Sequence, residues 1–121
     1  MKTKVLVVES SPELCSIWCR HLERLGLDVT CANNQDDAVR QVREGAFDVI
    51  VLDLVLEGGG AFAVADYASY RLPEARVVFV TNTTFFSDGS IFQHIPNACA
   101  FVQSETPPDD LAAIVEHYAA N

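Results

Sequence analysis

The chain has 121 residues, eight basic and seventeen acidic side chains, a formal net charge of -9, and is half hydrophobic. That length holds one ordinary domain with a real core, and this composition excludes a disordered segment. The acidic balance, with no cluster of Lys or Arg, argues against direct nucleic-acid binding. No apolar stretch approaches the roughly 20 residues of a membrane helix, and no signal peptide precedes Lys2-Thr3-Lys4, so the sequence predicts a soluble, cytoplasmic protein.

Strand and helix signals alternate along the chain. Residues 4–8 read as a first strand, and its apolar run Val5-Leu6-Val7-Val8 ends in Glu9. Ser11, Pro12 and Glu13 then supply a cap, a first-turn proline and an acid. The helix that follows is predicted to place Leu14, Ile17, Trp18, Leu22 and Leu25 on one face, with Gly26 ending it. A short strand near 28–32 and a helix near 35–44 come next, the latter with Ala38 and Val42 apolar and Gly45 after its end.

The run Val49-Ile50-Val51-Leu52 closes on Asp53 and continues as Leu54-Val55-Leu56. A continuous aliphatic run of this kind suits a strand buried on both faces, as parallel sheets require. Gly58-Gly59-Gly60 leads into a helix over about 61–71, and Val77 to Val80 form a fourth strand closed by Thr81. Ser87-Asp88-Gly89 opens a short helix carrying Ile91, Phe92 and Ile95, stopped by Pro96. Ala98 to Val102 read as a fifth strand. Pro107-Pro108-Asp109-Asp110 start a last helix whose inner side carries Leu111, Ile114, Val115 and Tyr118.

Five strands, each followed by a helix, predict an α/β fold: one flavodoxin-like, doubly wound, five-stranded parallel sheet with five helices. Residues 1–121 are read as a single domain with no output module. In such sheets ligands bind at the carboxyl ends of the strands. Glu9, Ser10, Asp53, Thr81 and the Gln103-Ser104 pair therefore converge on one acidic crevice. Cys15, Cys19, Cys31 and Cys99 form no Cys-x-x-Cys pair, and His21 falls off the face that carries Cys15 and Cys19. They are read as reduced, buried thiols rather than a metal site.

The layout and two phrases, Val-Leu-Val-Val-Glu-Ser-Ser-Pro-Glu-Leu and Val-Ile-Val-Leu-Asp-Leu-Val-Leu, resemble the receiver domains of two-component response regulators. The resemblance runs from the first strand to the last helix. It implies that Asp53 accepts a phosphoryl group, that Thr81 is the switch hydroxyl, and that Phe101 is the aromatic that changes rotamer. It also implies a Mg²⁺ site built from Glu9, Ser10, Asp53 and the backbone carbonyl of Val55. The implied partners are a sensor histidine kinase or phosphotransferase and a downstream protein target. The face of the fourth and last helices with the fifth strand would serve such a target, or a second copy in a homodimer.

The sequence departs from that pattern at four places. The family's acidic pair after the first strand is reduced to Glu9 followed by Ser10. Ser104 stands where the family has a lysine, Glu105 where a proline follows it, and Glu57 where a proline follows the acceptor. Phosphoryl transfer relies on positioning and on cancelling charge over the phosphate oxygens, so these losses predict a weakened Mg²⁺ site and slow phosphorylation.

Two other functions compete with a phosphorylated receiver. One is a pseudo-receiver that takes no phosphate and serves as an interaction module. The other is a small-ligand or flavin carrier of the same architecture; against a flavodoxin-type site, Glu9-Ser10-Ser11-Pro12-Glu13 is acidic, carries a proline and lacks glycine. No nucleophile–base constellation suggests an independent enzyme. Taken alone, Asp53 could simply end a strand and cap the Leu54–Gly60 loop. Phe85 and Phe86, which cannot easily both point inward, suggest an apolar anchor for a partner.

Overall fold

The computed structural model describes residues 3–56, 58–81 and 97–119. Strands β1 (Lys4–Val8), β2 (Asp28–Ala32), β3 (Val49–Asp53), β4 (Arg76–Thr81) and β5 (Ala98–Gln103) form one parallel sheet in the order β2-β1-β3-β4-β5. Helices α1 (Pro12–Glu23), α2 (Gln35–Glu44), α3 (Ala61–Arg71) and α4 (Pro108–Ala119) connect and cover them. This is the doubly wound order in which the chain reverses direction across the sheet between β1 and β3. The helix expected near 87–95, with Phe85 and Phe86 before it, lies outside the described residues, as does Glu57.

Side chains alternate across each strand, so the sheet carries two cores. Leu6, Val8, Ile50, Leu52, Val77 and Phe79 face α2 and α3, where they meet Ala38, Val42, Val64, Ala65 and Ala68. Val5, Val7, Val49, Val51, Val78 and Val80 face α1 and α4, meeting Trp18, Leu22, Leu111 and Val115. Every residue of β3 is buried, which explains why its sequence is an unbroken apolar run up to Asp53.

The helix ends follow their local chemistry. Ser11 caps α1 by accepting a hydrogen bond from the Leu14 N–H at 3.3 Å, and Pro12 occupies the first turn. Asn34 caps α2, accepting from the Asp37 N–H at 2.8 Å. Gly26 follows α1 with φ 85°, a left-handed conformation that favours glycine.

One face of α1 differs from its sequence reading. Ile17 and Leu25, predicted to point inward, are 39% and 41% exposed, while Cys15 and Cys19 are buried beside Trp18 and Leu22. Cys15, Trp18, Cys19 and Leu22 follow the i, i+3, i+4, i+7 pattern, so the cysteines, and not Ile17 or Leu25, complete the apolar stripe. The cysteines also depart from the expectation of four reduced thiols. Cys19 on α1 and Cys31 on β2 are joined as a disulfide, while Cys15 and Cys99 are free. The pairing arises because β2 lies beside β1, along which α1 packs, a long-range placement that no local spacing encodes.

Candidate functional site

The carboxyl ends of β1, β3 and β4 bring together three buried polar residues at the point where the sheet order reverses. Glu9, Asp53 and Thr81 are 5%, 9% and 3% exposed, the only buried polar residues among those described. In-register pairing produces this. Val8 sits opposite Leu52, and Asp53 sits opposite Val80, so Glu9 lies one residue beyond β1 and Thr81 is the last residue of β4, both beside the end of β3.

Glu9 is held from several sides. Its backbone N–H donates to the Ala32 carbonyl at 3.0 Å, and the Asn33 side-chain amide donates to the Glu9 carbonyl at 2.8 Å. Its carboxylate accepts from the Ser11 N–H at 2.9 Å, tying the acid to the start of α1. Asp53 is oriented by the Val55 N–H, which donates to its Oδ1 at 2.9 Å, and the Leu54 N–H donates to the Val80 carbonyl at 2.8 Å. Asn33 was not singled out by sequence reasoning. Its only signal is being the first amide after β2, which becomes informative once β2 is known to pair with β1.

Burial pushes the Glu9 carboxyl up from 4.5 to about 7, and its hydrogen bond to Asp53 and the repulsion between the two acids push the same way. The N–H groups of Ser11 and Ser10 oppose that rise. Two carboxylates facing one another in a buried crevice are a poorly neutralised arrangement that a cation would relieve.

The donor set suits Mg²⁺, a hard cation that takes oxygen ligands and needs only one or two carboxylates beside waters. Glu9, Asp53 and the Val55 carbonyl are the residues that would hold it, and the half-buried Ser10 supplies a neutral oxygen where a third carboxylate would bind more tightly. Among the described residues, this crevice gathers no third His, Cys, Asp or Glu ligand.

On the other flank, Thr81 sits opposite Gln103 in the β4–β5 register, and the Ser104 N–H donates to the Thr81 carbonyl at 2.8 Å. Ser104, whose side chain is a hydroxyl rather than a cation, thus stands just past β5 and next to Thr81. Phe101 is half-buried in β5, its ring stacked on Phe79 with centroids 5.3 Å apart. It also lines an apolar cleft of about 380 Å³ between β5 and α4, with Ala100, Val102, Ile114 and Tyr118. One aromatic therefore connects the core under the crevice to an outward-facing surface.

Comparison with known proteins agrees with this architecture. No curated protein matches the sequence. The structure is similar to a CheY-like response regulator receiver domain protein from Methanospirillum hungatei JF-1, with TM-score 0.89 and 16% identity, covering 99% of this chain and 95% of that one. It is similar to a response regulator of Burkholderia pseudomallei determined with a phosphorylated aspartic acid, a calcium ion and citrate. There the TM-score is 0.83 and identity 20%, over 98% of this chain and 69% of that one. A third similar structure is response regulator TrrA of Thermotoga maritima in complex with Mg(2+)-BeF, with TM-score 0.82 and 21% identity, covering 98% and 99% of the two chains. A sequence model of the response regulator receiver domain matches residues 5–114. With the model spanning nearly all of the chain and the fold agreeing throughout, this protein belongs to the response regulator receiver domain family.

Proposed function

We propose that the chain is a receiver that accepts a phosphoryl group on Asp53 and signals by protein–protein contact. The observation that carries this reading is the buried Glu9–Asp53 pair at the reversal point of the sheet, with Thr81 buried on its flank. An Asp53 carboxylate oxygen attacks the phosphorus of a phosphohistidine or an acyl phosphate. A new O–P bond forms as the donor's P–N or P–O bond breaks, and the leaving group keeps the bonding pair. Bound Mg²⁺ would supply charge neutralisation at the phosphoryl oxygens. This chain's residues position the rest: the Val55 N–H orients Asp53, and the Ser11 N–H fixes Glu9.

The product carries added negative charge beside Thr81 and one stacked ring away from the β5–α4 cleft. A shift of Phe101 between its place on Phe79 and that cleft would carry the charge state of Asp53 to a partner surface. Receiver domains generally work between a histidine kinase and a downstream target, and this apolar cleft suits the target.

A second reading has its own support. Among the described residues, Ser104 and Ser10 stand at the crevice without positive charge and Glu9 and Asp53 are its carboxylates, which favours a pseudo-receiver that binds its partner without phosphate. Beryllium fluoride, a mimic of the aspartyl phosphate, separates the two. With Mg²⁺ present, the phosphorylated reading predicts amide chemical-shift changes at Asp53, Thr81 and Phe101 in the wild type and none in Asp53→Asn. An unchanged wild-type spectrum would decide for the pseudo-receiver.

A further inference from the structure

Where α1 packs on β2, three cysteines converge from two elements. The Sγ atoms of Cys15 and Cys19 on α1 and Cys31 on β2 all lie within 4.8 Å of one another. Cys15 and Cys19 are buried, and Cys31 is exposed. They share a cleft of about 300 Å³ with Ser16, Glu23 and Asn33, so the sulfur cluster is reached from solvent. The described residues contain no other group of three or more such ligands.

We propose that, with its thiols reduced, this cluster is a three-thiolate site for a soft, thiophilic cation. Three sulfurs bonded to one ion at about 2.3 Å each stand roughly 3.8–4 Å from one another; the three Sγ atoms lie within 4.8 Å of one another, and reduction of the Cys19–Cys31 bond lets that pair separate to this spacing. The backbone favours this use of the sulfurs. The Cα atoms of Cys19 and Cys31 are 7.2 Å apart, wider than the about 4.4–6.8 Å over which disulfides usually close. A bridging cation spans the wider gap and also engages Cys15, which the Cys19–Cys31 bond leaves out.

Rigid placement adds to this. α1 presents Cys15 and Cys19 from successive turns, and both are fixed by packing against Trp18 and Leu22. Cys31 is fixed by the β1–β2 ladder, in which it sits opposite Val7. Carboxylate-rich sites take hard cations, whereas thiolates select ions such as Cu(I), Zn²⁺ and Cd²⁺. This pocket therefore discriminates against the Mg²⁺ that suits the acidic crevice. Disulfide and metal are mutually exclusive here, because they use the same two sulfurs.

The probe is Cd²⁺, titrated anaerobically into the full chain kept reduced with a phosphine, with thiolate-to-metal charge-transfer absorbance as the readout. The proposal predicts one Cd²⁺ per chain with a three-sulfur band. Cys31→Ser, an exposed position that the core does not need, should weaken binding by more than the roughly 10–100-fold seen when an outer-shell partner is lost. Cys99→Ser, on β5, should bind as the wild type does, and near-ultraviolet dichroism of the buried Trp18 verifies folding of each variant. Absence of the band in the reduced wild type, or an undiminished band in folded Cys31→Ser, would overturn it.

Discussion

At the scale of single residues, the chemistry turns on two substitutions of charge. Glu9 holds its proton up to about 7 in the folded chain against 4.5 for an ordinary glutamate, because burial and the facing Asp53 disfavour its charge. Between those pH values the native state binds a proton that the unfolded state has released, so in the metal-free protein stability falls as pH rises. The contribution is complete below about 4.5 and is lost as pH passes through about 7. Chemical denaturation of the metal-free protein at pH 5 and pH 8 should show a loss on the order of 1–3 kcal/mol. Glu9→Gln should flatten that dependence and also weaken Mg²⁺ binding; an unchanged slope would mean that another group titrates. At Ser104 the missing element is a cation. Ser104→Lys should raise the rate of Asp53 phosphorylation by acetyl phosphate by roughly 10–100-fold, less than a fully preorganised oxyanion donor supplies. A rate that stays the same would place the Ser104 position too far from the phosphoryl group to matter.

At the scale of elements, the loop from β3 to α3 fixes what stands next to Asp53. Gly58, Gly59 and Gly60 have φ of 84°, 83° and 95°, three successive left-handed residues that other amino acids adopt at a cost. A Cβ on Gly60 would also collide with the Gln35 side chain at the start of α2. Gly60→Ala should therefore destabilise the fold by about 1–3 kcal/mol, read as a lower denaturation midpoint; no change would mean the loop has room to rearrange. The strands were legible because burial on both faces forces unbroken aliphatic runs, and Asp53 and Glu9 stood out as the acids that end them. Thr81 was legible only in their company. The inner face of α1 is less legible, because cysteine reads equally as thiol and as small hydrophobe, and Cys15 and Cys19 hold the inward places that the larger Ile17 and Leu25 suggest for themselves. Asn33 and the approach of Cys31 to α1 depend on β2 pairing with β1, which lies in the topology and not in any local pattern.

At the scale of the whole molecule, the two sides of the sheet's carboxyl edge are joined by single residues. Ser11, between β1 and α1, links the Glu9 carboxylate to the cysteine-bearing α1, and Phe101 links the β4 core to the β5–α4 cleft. His21 on α1 pairs with Asp109 at the start of α4 at 2.8 Å, closing the face opposite α2 and α3. None of the helices described is long and apolar enough to cross a membrane. The proposed reading as a phosphorylated receiver rests on Asp53 being reactive in a crevice where, among the described residues, Glu9 is the other buried carboxylate and Ser104 brings no positive charge. Intact-mass spectrometry after incubation with acetyl phosphate, with and without Mg²⁺ and beside Asp53→Asn, tests that most directly. The account predicts the gain of one phosphoryl group in the wild type that requires both Mg²⁺ and Asp53. No gain in the wild type, or a gain that persists in Asp53→Asn, would contradict it.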